Sequence, residues 1–179
     1  HKEFYNVFNN LYKLIKECNE HNLVVICGDI IDKSSKMSPD CIKLVKEFFL
    51  QLTKVSEVIL ISGNHDDNVR GNDIKTDSLS AILSNVDFNS KLHYFKDTGI
   101  YLVGRNLVFS VVSVFNETLI PASKIEGRKR ICLFHGMIQS DNMSPGLKAK
   151  GDYKFTSLEF PDYDMVMLGD IHRHYFLDS

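Results

Sequence analysis

Four apolar runs in this chain each break into residues that can bind a metal or carry a proton: "VVICGDIID", "VILISGNHDD", "ICLFHG" and "VMLGDIHRH". They contribute Asp29, Asn64, His65, His135, Asp170 and His172, with Asp32, Asp66 and His174 close by in sequence. Carboxylates, imidazoles and one side-chain amide make an oxygen and nitrogen donor set without thiolate, suited to Mn, Fe, Zn or Mg rather than to a structural cysteine-zinc site. A single histidine at a strand end is usually a hydrogen-bonded structural residue. Three of the seven histidines, His65, His135 and His172, follow directly on apolar runs, which is too many for that explanation. The donors exceed what one ion needs and suit two cations about 3.5–4 Å apart that share a carboxylate. Such a pair activates a bridging water and holds phosphoryl oxygens while a nearby imidazole protonates the leaving oxygen, which is the chemistry of phosphate-ester hydrolysis.

The elements that must position these residues are legible from periodicity. Phe4, Val7, Phe8, Leu11, Ile15 and Cys18 recur at three- and four-residue steps, predicting that the chain opens in a helix. "LVVIC" and "EVILIS" are short continuous apolar runs, each followed by or closing on glycine, as in strands buried on both faces. Between them "SPDCIKLVKEFFLQL" offers Ser38 as N-cap, Pro39 at the first helical position, and a stripe of Ile42, Val45, Phe49 and Leu52. Helix and strand therefore alternate, predicting an α/β fold with a parallel sheet. After residue 90 the pattern turns to strands with short connections, "DSLSAIL" being the last clear helix. In open α/β sheets ligands bind outside the carboxyl ends of the strands, so the four clusters are expected to converge.

Composition narrows the classes. The 179 residues fit one domain, 44% hydrophobic and 25% charged, as in a soluble globular protein. No run reaches the roughly 20 apolar residues of a membrane span, so the expectation is an intracellular protein, in cytoplasm, nucleus or a viral replication compartment. Cys18, Cys27, Cys41 and Cys132 lack CxxC spacing and read as buried free thiols. A net charge of −2 argues against a globally basic nucleic-acid binder, although Lys124, Arg128, Lys129 and Arg130 form a local basic cluster. No repeat or linker marks an internal boundary.

"GDIID" at Gly28, "GNHD" at Gly63, "FHG" at Phe134 and "GDIH" at Gly169 resemble, in order, four of the five motifs of the calcineurin-like metallophosphoesterase superfamily. The runs "HKEFYNVFNNLY", "CGDIIDKSSKMSP", "ISGNHD", "FKDTGIYLVGRNLVFSVVSVF" and "LFHGMI" are similar in order and spacing to SbcD-type DNA-repair exonucleases and their phage and large-virus relatives. Serine/threonine phosphatases would show Gly-Asp-x-Val-Asp-Arg-Gly and Arg-Gly-Asn-His-Glu, and neither arginine is present.

The resemblance implies a four-layer α/β/β/α sandwich and two divalent metals, Mn first, with Mg, Fe or Zn as alternatives. It makes Asp29 the bridging carboxylate, Asn64 and His135 ligands of the second metal, and His65 the imidazole that contacts substrate. Asp66 would orient His65 through a carboxylate-to-imidazole bond. Aligned on the strand-end glycine, "GDIH" puts Asp170 on the second metal and His172 on the first. The other register takes His172 and His174 as the pair, and in the preferred one His174 is a rim or substrate contact. The family's first motif, Asp-x-His, is absent. Residues 1–179 are therefore read as a nuclease-domain fragment lacking that motif, its strand and a C-terminal capping and partner-binding region. DNA, an SMC-like ATPase subunit and a second copy of the chain are the implied partners. A phosphomonoesterase or small-molecule phosphodiesterase on the same scaffold, and a non-catalytic scaffold with a degraded site, are the alternatives.

Overall fold

A computed structural model describes residues 2–18, 22–32, 37–66, 77–121, 129–139, 155–156, 159–160 and 162–171. Contacts divide the chain into two compact units. One holds His1–Ile26, Ile30–Leu60 and His65–Tyr94, and the other holds Cys27–Asp29, Ile61–Asn64 and Phe95–Ser179. The chain enters the second unit twice for only three or four residues, which is why no linker is visible in the sequence.

In the first unit α1 (Lys2–Cys18) and α2 (Pro39–Leu52) accompany a sheet of β1 (Leu23–Cys27), β2 (Glu57–Ile61) and β3 (Leu92–Tyr94) in that order, and α3 (Ser78–Leu83) follows β2. β2 and β3 run parallel, with Ile59 opposite His93. The start of α2 forms for local reasons: Ser38 sits in extended conformation, its Oγ accepts the Cys41 amide at 3.2 Å, and Pro39 begins the helix without needing an amide partner. Asp77 caps α3 in the same way through the Ser80 amide. Val45, Phe49 and Leu52 of α2 bury against Val58 and Leu60 of β2 with Leu79 and Ile82 of α3. Each fully buried leucine or phenylalanine contributes roughly 1.5–3 kcal/mol.

Burial is low in two places, and for β1, read as a strand buried on both faces, that corrects the expectation. The apolar face of α1 buries only Ile15, with Phe8 and Leu11 half-buried, while Phe4, Val7 and Cys18 are exposed. The contacts the helix makes with α2, Phe8 on Phe48 at 4.6 Å and the Tyr12 hydroxyl on the Phe48 carbonyl at 3.0 Å, follow a single line along the helix. β1 is half-buried throughout, whereas Val58 to Ile61 of β2 are buried. The reason is position, since β1 lies at the end of its sheet and β2 lies between two strands.

The second unit carries a sheet in the order β4 (Gly99–Val103), β5 (Leu107–Val112), β6 (Lys129–His135) and β9 (Met165–Gly169). β4 and β5 pair antiparallel, while β5, β6 and β9 are parallel. β7 (Ile138–Gln139) and β8 (Phe155–Thr156) form a small parallel pair. Val112, Cys132, Phe134, Ile138 and Phe160 make one core of this unit, and Phe95 stacks on Tyr101 at 4.0 Å. Among the described residues no helix is long and apolar enough to cross a membrane.

The cysteines are free but not uniformly buried: Cys18 is exposed, Cys27 and Cys41 are half-buried, and Cys132 is buried. Burial pushes the Cys27 thiol up to about 11 and the Cys132 thiol up to about 12. Alkylation requires the thiolate. Iodoacetamide at pH 8 followed by mass spectrometry should therefore label Cys18 first and leave Cys132 unmodified until the protein unfolds. Equal native labelling of Cys18 and Cys132 would contradict the packing of β6.

Candidate metal centre

β6 and β9 pair so that His135 lies opposite Gly169, which puts the last residue of one strand beside the point where the other leaves the sheet. At the end of β1 the chain turns through Gly28 (φ +85°) and Asp29 (φ +56°), and past β9 it turns through Asp170 (φ +68°). Left-handed backbone is costly for most side chains and least so for glycine, asparagine and aspartate. Two aspartates held there, each after a glycine, are sites where the backbone bears strain to place a carboxylate.

Close approach explains the glycines. A Cβ on Gly28 would come within 2.5 Å of both the Gly63 amide nitrogen and His135 Nδ1. One on Gly169 would collide with the Cys27 carbonyl. The strand ends meet because these positions have no side chain.

His135 is the centre of the arrangement. Its ring is 2% exposed, and Nδ1 lies 2.7 Å from the Cys27 carbonyl oxygen. A carbonyl can only accept, so Nδ1 carries a proton and Nε2 is the nitrogen turned to the cluster. Nε2 faces Asn64 Oδ1 at 3.1 Å, Asp29 Oδ2 at 3.4 Å and Asp170 Oδ1 at 4.0 Å. Rotating the Asn64 amide would bring a donor to Nε2, but it would leave two carboxylates crowded on the same point. A cation resolves the repulsion. With bonds of about 2.0–2.2 Å, neighbouring ligand atoms lie about 3 Å apart at right angles and about 4 Å apart when opposite, and the three distances from Nε2 fall in that range. Asp29, His135 and Asp170 can each offer one atom within 4.8 Å of the others. The donors are mostly hard oxygens, and the Cys27 thiol is turned to the Met167 carbonyl at 3.8 Å.

His65, the residue after Asn64, is placed differently. Its side chain is 44% exposed, and Nδ1 donates to the Asp32 carbonyl at 2.5 Å with Asp32 Oδ1 at 3.7 Å. Asp66 is fully buried, and its Oδ1 accepts the Ile31 amide at 2.9 Å. So Nδ1 of His65 meets the Asp32 carbonyl, and Asp66 Oδ1 accepts the amide of the residue preceding Asp32.

The structure thus brings Asp29, Asn64, His135 and Asp170 together, and it gives His65 and Asp66 bonds to the "GDIID" turn. His172 and His174 lie outside the described residues, as do Lys124 and Arg128 of the basic cluster. Two contributors are absent from the sequence reading, the backbone carbonyls of Cys27 and Asp32. No signal marks them, because every residue has a carbonyl.

The sequence model described as calcineurin-like phosphoesterase matches residues 1–174. An uncharacterized protein of Acanthamoeba polyphaga mimivirus is 34% identical over 191 aligned positions, covering 100% of this chain and 14% of that protein. The chain therefore spans about one seventh of the length of this relative. The family match runs through every strand-end turn that surrounds His135, and the chain belongs to the calcineurin-like phosphoesterase family.

Proposed function

We propose that the protein is a two-metal phosphodiesterase that hydrolyses DNA, working as the nuclease part of an assembly with an SMC-like ATPase. The observation that carries the hydrolytic reading is the convergence of three oxygen ligand atoms on Nε2 of His135. The preference for DNA is supported by the likeness of the quoted runs to SbcD-type exonucleases. Members of this family typically bind two divalent metals. Asp29, Asn64, His135 and Asp170 would hold them, and the mostly oxygen donor set favours Mn or Mg. When bound, such ions supply electrophilic activation of the phosphodiester and a water of lowered pKa.

The chain's own groups supply the rest. Asp29 and Asp170 provide negative charge that a dication offsets, and their carboxylates are held by the backbone turns rather than by flexible stems. The Cys27 carbonyl fixes the His135 ring so that Nε2 stays a donor to metal. His65 carries its proton on Nδ1 towards Asp32, so only the protonated ring can offer Nε2–H to a leaving oxygen. The Asp32 carboxylate lies 3.7 Å from Nδ1.

With Mn, the protein should degrade linear duplex DNA. His65→Ala should keep its metal and lose roughly 10²–10⁴-fold in turnover, the usual worth of a general acid. Product release on gels and Mn occupancy by calorimetry measure the two separately. Metal-replete protein that cleaves only phosphomonoesters would overturn the DNA assignment, and one that cleaves no phosphoester would support the scaffold alternative.

A further inference from the structure

Asp66 and His65 are consecutive, and so are Ile31 and Asp32. Each member of one pair is bonded to a member of the other: the Ile31 amide to Asp66 Oδ1 at 2.9 Å, and His65 Nδ1 to the Asp32 carbonyl at 2.5 Å. The two bonds and the two peptide links close a ring. Around it the turn is anchored further, since Ile31 is buried in the first unit's core and the Asp66 carbonyl accepts the Ser78 amide at 3.0 Å. Asp32 has 83% of its side chain exposed, so its own side chain gives its carbonyl little support.

We infer that Asp66 is a positioning residue for His65, acting by holding the Ile31 amide so that the Asp32 carbonyl stays aimed at Nδ1. The carboxylate is worth having there because a buried amide needs an acceptor and an ionised one binds it more strongly than a neutral one. Releasing the amide leaves the backbone from Ile31 to Asp32 free to shift. A shifted Asp32 carbonyl moves off Nδ1, which frees the imidazole to turn away from its aimed position and lets the Nε2–H tautomer appear. The inference rests on the proposed role of His65, but the ring's tautomer can be read without any turnover.

The test compares wild type, Asp66→Ala, Asp66→Asn and Asp77→Ala. The Asn variant keeps an oxygen acceptor, and the Asp77 variant loses the α3 cap and so loosens the neighbouring Ser78 anchor without removing either bond of the ring. ¹⁵N NMR of the His65 imidazole should show the Nδ1–H tautomer in wild type, Asp66→Asn and Asp77→Ala, and a mixture in Asp66→Ala. On a phosphodiester substrate, kcat of Asp66→Ala should fall roughly 10²-fold, as for a small misplacement of a reacting group. KM and Mn occupancy should be little changed. An unaltered tautomer in folded Asp66→Ala overturns the inference. So does an equal loss of tautomer in Asp77→Ala, or failure of Asp66→Asn to preserve it. Wild type lacking phosphodiesterase activity while the tautomer pattern holds would remove the functional reading and keep the positioning role.

Discussion

His135→Ala should lower divalent-metal affinity by well over the roughly 10–100-fold that loss of a supporting contact costs, and should take turnover down with it. The substitution removes Nε2 from the centre of the cluster and leaves Asn64, Asp29 and Asp170 without the ring that separates them. It also releases the Cys27 carbonyl, which loses its hydrogen bond from Nδ1. His135→Gln offers one replacement donor and should recover part of the affinity. The same Mn titration resolves the last turn: Asp170→Ala should weaken binding more than His174→Ala. Reversed effects would favour the register in which His172 and His174 are the ligands. A His135→Ala protein that binds Mn as wild type does would show that the cluster is not the metal centre.

Gly28→Ala should be among the most destabilising single-methyl additions in the chain. Its Cβ would sit 2.5 Å from the Gly63 amide nitrogen and from His135 Nδ1, and 2.6 Å from Gly63 Cα, with φ at +85°. Backbone cannot give way as a side-chain tip can. The left-handed conformation costs about 1–2 kcal/mol and overpacking about 1–3 kcal/mol, together about 2–5 kcal/mol. Gly104 is the matched control, with φ +58° and nothing within 4 Å of an added Cβ. Gly104→Ala should show only the conformational part, about 1–2 kcal/mol. Urea melts of the two variants separate the terms, and Mn titration of Gly28→Ala should reveal weakened binding, because the displaced groups flank Asp29 and His135. Equal destabilisation of the two variants would mean the strand ends are not packed as described.

How much of this was legible depended on how far apart the interacting groups are in sequence. The α2 start at Ser38 and Pro39, the buried stripe through Val45, Phe49 and Leu52, and the apolar strands before Gly63 and His135 all follow from neighbours within one or two turns. The half-burial of β1 was not legible, because an apolar run does not say whether a strand lies at the edge of its sheet.

The sequence by itself determined the fold class and the inventory of the candidate site, because apolar periodicity and donor chemistry reside in residue identity. Only the tertiary structure decided how those donors are held. Which carbonyl meets His135 Nδ1 is set by strand ends 108 residues apart, and which carbonyl meets His65 is set by a turn that Asp66 braces. The register pairing His135 with Gly169 brings Asp170 to the ring. Backbone groups are the same in every residue, so their partners are chosen by packing and register and leave no mark in the order of the amino acids.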